Sequence, residues 1–378
     1  MNPRRNDMKF SCEQSTLSKA LAIVSKAVSV RTTIPVLKSI LLEAKEDGEL
    51  KMSASDLDLS IEKIIDVRVE EPGSIAVNAK LFMDIIRKLP AGNIDIAVNE
   101  NGNVVIKTLN SEFNILGTPA SDFPNIGELE GPQDTLSFDK DIFTEMIRKT
   151  GFCASMDETK GIIVGILMEL EENVFNMVAL DGFRMAIARE KMRNADSKKI
   201  VINARILNEL YKIIMETGTE EDIKLVLGEK KAVMLLERTK IVMRLLEGAF
   251  IKYRDILPKE NKLFIRANRK DMMDAVERAS LLSKAGRNNL IICSISNNLM
   301  QITSTSEEGN VKEDLIIESN GGQLDIGFNS KYILDALKVI DDEEIRMEFN
   351  TGITPCLIRP VEGDRYEYLI LPVRIPAR

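Results

Sequence analysis

The stretch Ile75-Ala76-Val77-Asn78-Ala79-Lys80-Leu81-Phe82-Met83-Asp84-Ile85-Ile86-Arg87-Lys88 decides the fold. Ile75 and Val77 stand two apart, as the inward residues of a strand do, and Phe82 and Ile86 stand one helical turn apart on a helix stripe. Asn78 falls between them, and its side chain suits the free N–H groups of a helix's first turn. The pattern comes back. Ile200-Val201-Ile202-Asn203-Ala204-Arg205 runs on to Leu207 and Tyr211, and Ile326-Gly327-Phe328-Asn329-Ser330-Lys331 runs on to Ile333 and Leu337. Asn78, Asn203 and Asn329 are spaced by one third of the 378 residues to within a single position. A repeat of this period predicts three similar domains before any local reading is made.

A second family of units follows the same offsets: Phe10 with Leu17 and Leu21, Leu136 with Phe143 and Ile147, Ile265 with Met272 and Val276. The capping position holds Glu13, Asp139 and Asn268 in these copies, Glu13 being the imperfect one. Apolar-alternating segments with turn signals come after each helix: Ser39–Glu43, Leu50–Ala54 and Leu59–Ile64 in the first third, Gly165–Glu169, Val174–Ala179 and Met185–Ala188 in the second, Leu290–Ser294 and Leu299–Thr303 in the last. Short strands joined in this way make antiparallel meanders. Each third therefore reads as two strand-helix-strands repeats, an α+β class with helices packed on one face of antiparallel sheet. Pro and Gly in the stretches 123–134 and 256–258 suit linkers, which sets expected domains at 1–130 (with a short extension 1–7), 131–258 and 259–378.

Composition excludes more than it selects. Hydrophobic residues at 44% with 29% charged describe an ordinary globular protein. No apolar run reaches the roughly 18–20 residues that span a bilayer, and the N-terminus has no apolar segment of a secretory signal. Cys12, Cys153, Cys293 and Cys356 lie far apart and histidine is absent, which argues against a zinc site or a disulfide framework and for a reducing cytoplasm. Without histidine, Ser-His and Cys-His nucleophile pairs cannot form. Asp56-Leu57-Asp58 is the best acidic pair for a metal, but Asp is also the residue expected at strand-end turns. No Walker or dinucleotide glycine pattern appears, so neither cofactor nor metal nor catalytic activity is expected.

The net charge of −8 speaks against nucleic acid only if the signs are mixed evenly. They are not. Lys80 and Arg87, Arg205 and Lys212, and Lys331 and Lys338 form three pairs with the same two-turn spacing, so each pair projects from one helix edge away from the apolar stripe. Arg148 and Lys149 add charge to a helix of the other family, while Glu43, Glu46, Asp47, Glu49, Glu169, Glu171, Glu172, Glu307 and Glu308 gather in strand ends and turns. A solvated helix face would explain any one pair. Three equivalent helices with the same pair point to phosphate contacts, which need no base-reading element.

With the repeat, the basic helices and the C-terminal Tyr368-Leu369-Ile370-Leu371-Pro372-Val373-Arg374, the chain from Met8 to Arg374 resembles the bacterial β sliding clamps, the processivity subunits of DNA polymerase III. Arg31-Thr32-Thr33-Ile34-Pro35-Val36-Leu37, Ala120-Ser121-Asp122-Phe123-Pro124-Asn125 and Asp181-Gly182-Phe183-Arg184-Met185-Ala186 carry the same resemblance. It implies a three-domain DNA clamp that closes as a head-to-tail homodimeric ring, helices inside and sheets outside, around duplex DNA bound without regard to sequence. It implies work in the bacterial cytoplasm beside the nucleoid, as a tether for the replicative polymerase. Arg31, Lys80, Arg205 and Lys331 would then face DNA, supported by Arg87, Lys212, Lys338, Arg148 and Lys149. Phe113 and Ile115 would meet Leu281 and Leu282 of the other subunit. A pocket for short linear motifs of the polymerase, clamp loader and repair proteins would be lined by Ile163, Leu180, Gly182, Phe183, Arg184, Met185, Ile256, Leu369, Leu371, Pro372, Val373 and Arg374. The chain departs from the family pattern at Phe183, where many members carry histidine, and at Asp255 beside that pocket. A repeat scaffold that binds peptides without encircling DNA is the rival reading.

Overall fold

The computed structural model describes residues 8–29, 32–99, 101–127, 129–131, 133–192, 197–284 and 289–375. Arg31, the extension 1–7 and the tail 376–378 lie outside the described residues.

Among the described residues there are six α-helices: α1 (Gln14–Val24), α2 (Ala79–Lys88), α3 (Lys140–Thr150), α4 (Ala204–Thr217), α5 (Arg269–Ser283) and α6 (Ser330–Val339). Each follows a strand, as the repeat requires: Met8–Glu13, Gly73–Asn78, Asp134–Phe138, Lys198–Asn203, Leu263–Asn268 and Gln323–Asn329. The expected caps form. Asn78 accepts from the Leu81 N–H at 3.0 Å, Asn203 from Arg205 at 2.9 Å, Asn268 from Asp271 at 3.1 Å and Asn329 from Lys331 at 3.0 Å. Glu13, at the start of α1, makes no side-chain capping bond, because its longer side chain does not fold back as Asn does.

The offset rule places its apolar residues inside: Phe10, Leu17, Leu21, Ile75, Phe82, Ile86, Leu136, Phe143, Ile147, Ile265, Met272, Val276, Ile326, Ile333 and Leu337 are all buried. Burying a Phe or Leu side chain contributes about 1.5–3 kcal/mol, so these helices are held chiefly by their stripe. The exception is the copy at Ile200. Ile200 and Tyr211 are only half-buried, because the buried face of α4 runs through Ile206, Leu207, Leu210, Ile213 and Ile214.

The chain forms two compact units, Met1–Lys140 with Lys212–Leu245, and Asp141–Tyr211 with Leu246–Arg378. In the first, α1 packs on α2 and thirteen strands make one antiparallel sheet. The expected meander Ser39–Ala44, Glu49–Ser55, Leu59–Asp66 lies at its centre. Leu59–Asp66 then pairs with Thr239–Arg244 of the middle third, from Met243 opposite Leu59 to Thr239 opposite Lys63. Sheet continuity thus crosses the expected boundary between thirds.

In the second unit α5 packs on α6, and the strands form a nine-stranded and a four-stranded sheet. The same edge-to-edge joint recurs there. Arg184–Lys191 pairs with Tyr366–Ile370, Arg184 opposite Ile370 and Ala188 opposite Tyr366. Beyond Ile370 the chain crosses the strand Gln323–Asn329, where the Val373 N–H donates to the Gly327 carbonyl at 2.8 Å. A Cβ at residue 327 would sit 2.6 Å from the Val373 carbonyl oxygen, so only glycine admits this crossing.

Candidate functional site

The three basic pairs lie as their spacing predicts. Lys80 and Arg87 on α2, Arg205 and Lys212 on α4, and Lys331 and Lys338 on α6 are all exposed. Several have acidic company on the same face. Arg87 donates to Asp84 at 2.8 Å, Lys331 to Asp335 at 2.5 Å, and Lys338 lies 3.8 Å from Glu277. Exposed pairs of this kind are worth little, about 0–1 kcal/mol, so they moderate the positive field without cancelling it.

Two members of the predicted DNA-facing set are engaged within the fold. Lys149 is buried, bonded to Glu145 one turn back and set 5.7 Å over the Tyr366 ring. Arg148 donates to the Val339 carbonyl at the end of α6 and to Asp341. Cations at a helix C-terminus satisfy its free carbonyls and complement its dipole, so Arg148 holds α3 to the end of α6. A charge in the last turn of a helix looks the same in sequence whether it serves the fold or a ligand.

The predicted pocket residues gather within the second unit. Leu180, Met185 and Leu369 are buried in an apolar cluster with Leu167, Val178, Ile187, Val201, Tyr253 and Leu357. Half-buried Ile162, Ile163, Leu246, Phe250, Leu257 and Leu371 pack against it, while Phe183 and Ile256 remain exposed at 54% and 42%. Reading the sequence missed Tyr253 and the half-buried Leu246, Phe250 and Leu257. Their signal was the apolar recurrence within Leu246–Leu257, a segment without a regular period.

Tyr253 explains how that segment is held. Its hydroxyl donates to the Glu169 carboxylate at 2.6 Å, and Arg254 donates to the same oxygen at 2.6 Å, with Lys199 at 2.9 Å from its neighbour. Burial pushes the Glu169 carboxyl up, but the bonds from Tyr253, Lys199 and Arg254 outweigh it and hold its pKa below the ordinary value.

Arg184, expected in the pocket lining, is tied into the fold. It is buried, and its guanidinium donates to Asp181 at 3.1 Å, Asp335 at 2.7 Å and the Phe152 carbonyl at 2.8 Å. The guanidinium also lies 4.6 Å from the Tyr332 ring centroid. Asp181 accepts from the Phe183 and Arg184 N–H groups at 2.8 and 3.1 Å. This closes a tight turn in which Gly182 takes φ +94°, open to glycine without strain. Phe183 in turn accepts from the Leu371 N–H at 2.9 Å. Gly182 and Arg374 are exposed, and Pro372 and Val373 half-buried.

The four residues expected at a subunit contact are partly open. Phe113 is 39% and Leu281 69% exposed, and Ile115 and Leu282 are half-buried. In the first unit Phe113 and Leu116 (77% exposed) stand on the strand Glu112–Pro119. Residues 112–116 of that strand pair only with Asn103–Lys107 among the described residues. In the second unit the strand Gly309–Ile316, ending in Ile316 at 85% exposure, pairs only with Leu299–Ser306 among the described residues.

Among the described residues there is no group of acids, cysteines or histidines that could hold a metal. All four thiols are free and buried, and burial pushes Cys12 and Cys293 up to about 12. Asp56 accepts from the Leu59 N–H at 2.7 Å, the turn role expected of it.

Comparison with known proteins agrees with these observations. Family models for the DNA polymerase III beta subunit match in order, the N-terminal domain over residues 8–127, the central domain over 137–252 and the C-terminal domain over 254–374. The beta sliding clamp of Bacillus subtilis is 33% identical over 380 residues, covering 97% of this chain and 100% of that protein. A crystal structure of a putative DNA polymerase III beta subunit from Eubacterium rectale superimposes with a TM-score of 0.90 at 37% identity, over 97% of this chain and 100% of that one. The sliding clamp of Pseudomonas aeruginosa bound to griselimycin gives a TM-score of 0.88 at 28% identity, with the same coverage of 97% and 100%.

Proposed function

The chain belongs to the DNA polymerase III beta subunit family, the beta sliding clamps, and from that membership we propose how its own residues carry out the work. It is a three-domain α+β clamp, a processivity factor of DNA replication without catalysis of its own, with DNA and the polymerase as partners. Our reading is that a head-to-tail homodimer encircles duplex DNA in the cytoplasm. The exposed cations of α2, α4 and α6 face the phosphates, and the apolar cluster of the second unit receives short linear motifs of the polymerase, the clamp loader and repair proteins. Our reading sets the domain limits near 130 and 258, beside family models that run over 8–127, 137–252 and 254–374.

One observation carries the DNA assignment: Lys80 and Arg87, Arg205 and Lys212, and Lys331 and Lys338 all emerge exposed from equivalent helices. Such cations attract any duplex, and no element among them is built to read bases. Weak, screened attraction permits sliding; tight contacts would arrest it. Retention comes from ring closure. For that closure the strand edges at residues 112–116 and Gly309–Ile316, each open among the described residues and carrying exposed apolar side chains, are the supporting feature. Unpaired edges are ordinarily covered, since they template pairing with another chain.

The test is to change Lys80, Arg205 and Lys331 together to Glu and measure salt-dependent binding to linear duplex. That binding should be lost while griselimycin, taken as the test ligand of the apolar groove, still binds. If the binding survives, these cations do not face DNA and the rival scaffold reading returns. If griselimycin fails to bind the unaltered protein, the groove reading falls alone.

A further inference from the structure

We propose that Asp335 is a shared counter-ion that positions both Lys331 at the DNA and Arg184 beneath the groove, so that duplex on α6 tightens ligand binding at the groove. The inference rests on the reading just given, which places Lys331 at phosphate and ligands at the apolar cluster.

One oxygen of Asp335 accepts from two cations, Lys331 at 2.5 Å and Arg184 at 2.7 Å. The two are unlike. Lys331 is long and solvent-exposed, free to swing to another anion, whereas Arg184 is buried and fixed by Asp181, the Phe152 carbonyl and the Tyr332 ring. A phosphate competes for Lys331 and not for Arg184. When Lys331 leaves, the carboxylate has Arg184 as its sole remaining partner of the two, and that buried pair strengthens. Arg184 holds the turn Asp181–Arg184, and the Phe183 carbonyl of that turn holds Leu371 of the groove rim at 2.9 Å. A rim ordered in advance loses less freedom when ligand arrives, so it binds more tightly. Linkage makes the effect reciprocal: groove ligand tightens the hold on duplex by the same factor.

Competition for one exposed ion pair sets the size, about twofold to fivefold in affinity. The experiment is calorimetric titration of griselimycin into the full-length protein, with and without a short linear duplex that a ring can thread from its end. The unaltered protein should bind griselimycin about twofold to fivefold more tightly with duplex present. Lys331→Gln, which frees Asp335 without DNA, should show that tighter binding in the absence of duplex. Asp335→Asn should bind griselimycin equally in both conditions and hold duplex more strongly, since an acid has left the DNA face. Equal griselimycin binding with and without duplex in the unaltered protein, or undiminished coupling in Asp335→Asn, overturns the proposal. A Lys331→Gln protein that holds duplex as tightly as the unaltered one at low salt overturns instead the placement of Lys331 at DNA, and the two failures are distinguishable.

Discussion

Glu169 sits 1% exposed in the strand Gly165–Glu171, and an acid survives there only if its charge is fully partnered. Tyr253, Arg254 and Lys199 supply the partners, and two of the three belong to the otherwise irregular segment that packs against the apolar cluster of the second unit. Removing the Tyr253 hydroxyl as Tyr253→Phe keeps the packing and deletes one bond to a charged acceptor, which costs about 1.5–3 kcal/mol. Urea unfolding should show that loss, and griselimycin should bind more weakly because that segment has lost its anchor. The sign of the pH effect follows from the lowered Glu169 carboxyl. A carboxyl depressed in the folded protein adds stability that is complete above its ordinary value of 4.5 and fades as pH falls through the lower folded value. Asp335, also held down by Lys331 and Arg184 against the opposing effect of burial, adds in the same direction. The urea midpoint should therefore fall as the pH drops below 4.5, and Glu169→Gln should flatten part of that fall.

At the scale of the helix, the repeat contains its own control. Asn78 caps α2 with a 3.0 Å bond, while Glu13 begins α1 with none. Asn78→Ala should lower stability by about 1 kcal/mol, and Glu13→Asn, at a residue already in extended conformation, should raise it by about 0.5–1 kcal/mol. Thermal unfolding of the two variants reads both signs in one experiment. The helices were legible because a strand's period of two gives way to a helix's period of 3.6 at a capping residue, and five of the six copies bury the residues that rule picks. What periodicity does not encode is the neighbour. Lys149 and Arg148 read in sequence as further helix cations, yet Lys149 is covered over Tyr366 and Arg148 is taken by the end of α6. Ile200 and Tyr211 stay half-open because the buried stripe of α4 is set by Ile206, Leu210 and Ile213.

At the scale of the whole chain, the parts that local patterns left unread are pairings between distant strands. Leu59–Asp66 with Thr239–Arg244, and Arg184–Lys191 with Tyr366–Ile370, join segments more than a hundred residues apart. Nothing in either strand announces its partner, because alternation fixes which face is buried and not which edge is shared. The same logic turns two of the open edges into a prediction. If subunits join as the thirds do, one chain's edge at residues 112–116 meets its partner's Gly309–Ile316 edge, and Phe113, Leu116, Leu281 and Ile316 leave water together. Ile316 is 85% exposed in the single chain, so a lysine there is harmless to the fold of each protomer. At a subunit contact it would place an unpaired charge among apolar side chains, a burial that a stable interface does not tolerate. Ile316→Lys should therefore sediment as single chains at concentrations where the unaltered protein sediments as dimers, with an unchanged melting profile of the protomer and unimpaired griselimycin binding. It should also lose retention on circular duplex while keeping salt-dependent binding to linear duplex, because the cations remain and only closure is gone. A dimer that persists in Ile316→Lys would place the subunit contact elsewhere, and Phe113 and Leu281 would lose their assignment with it.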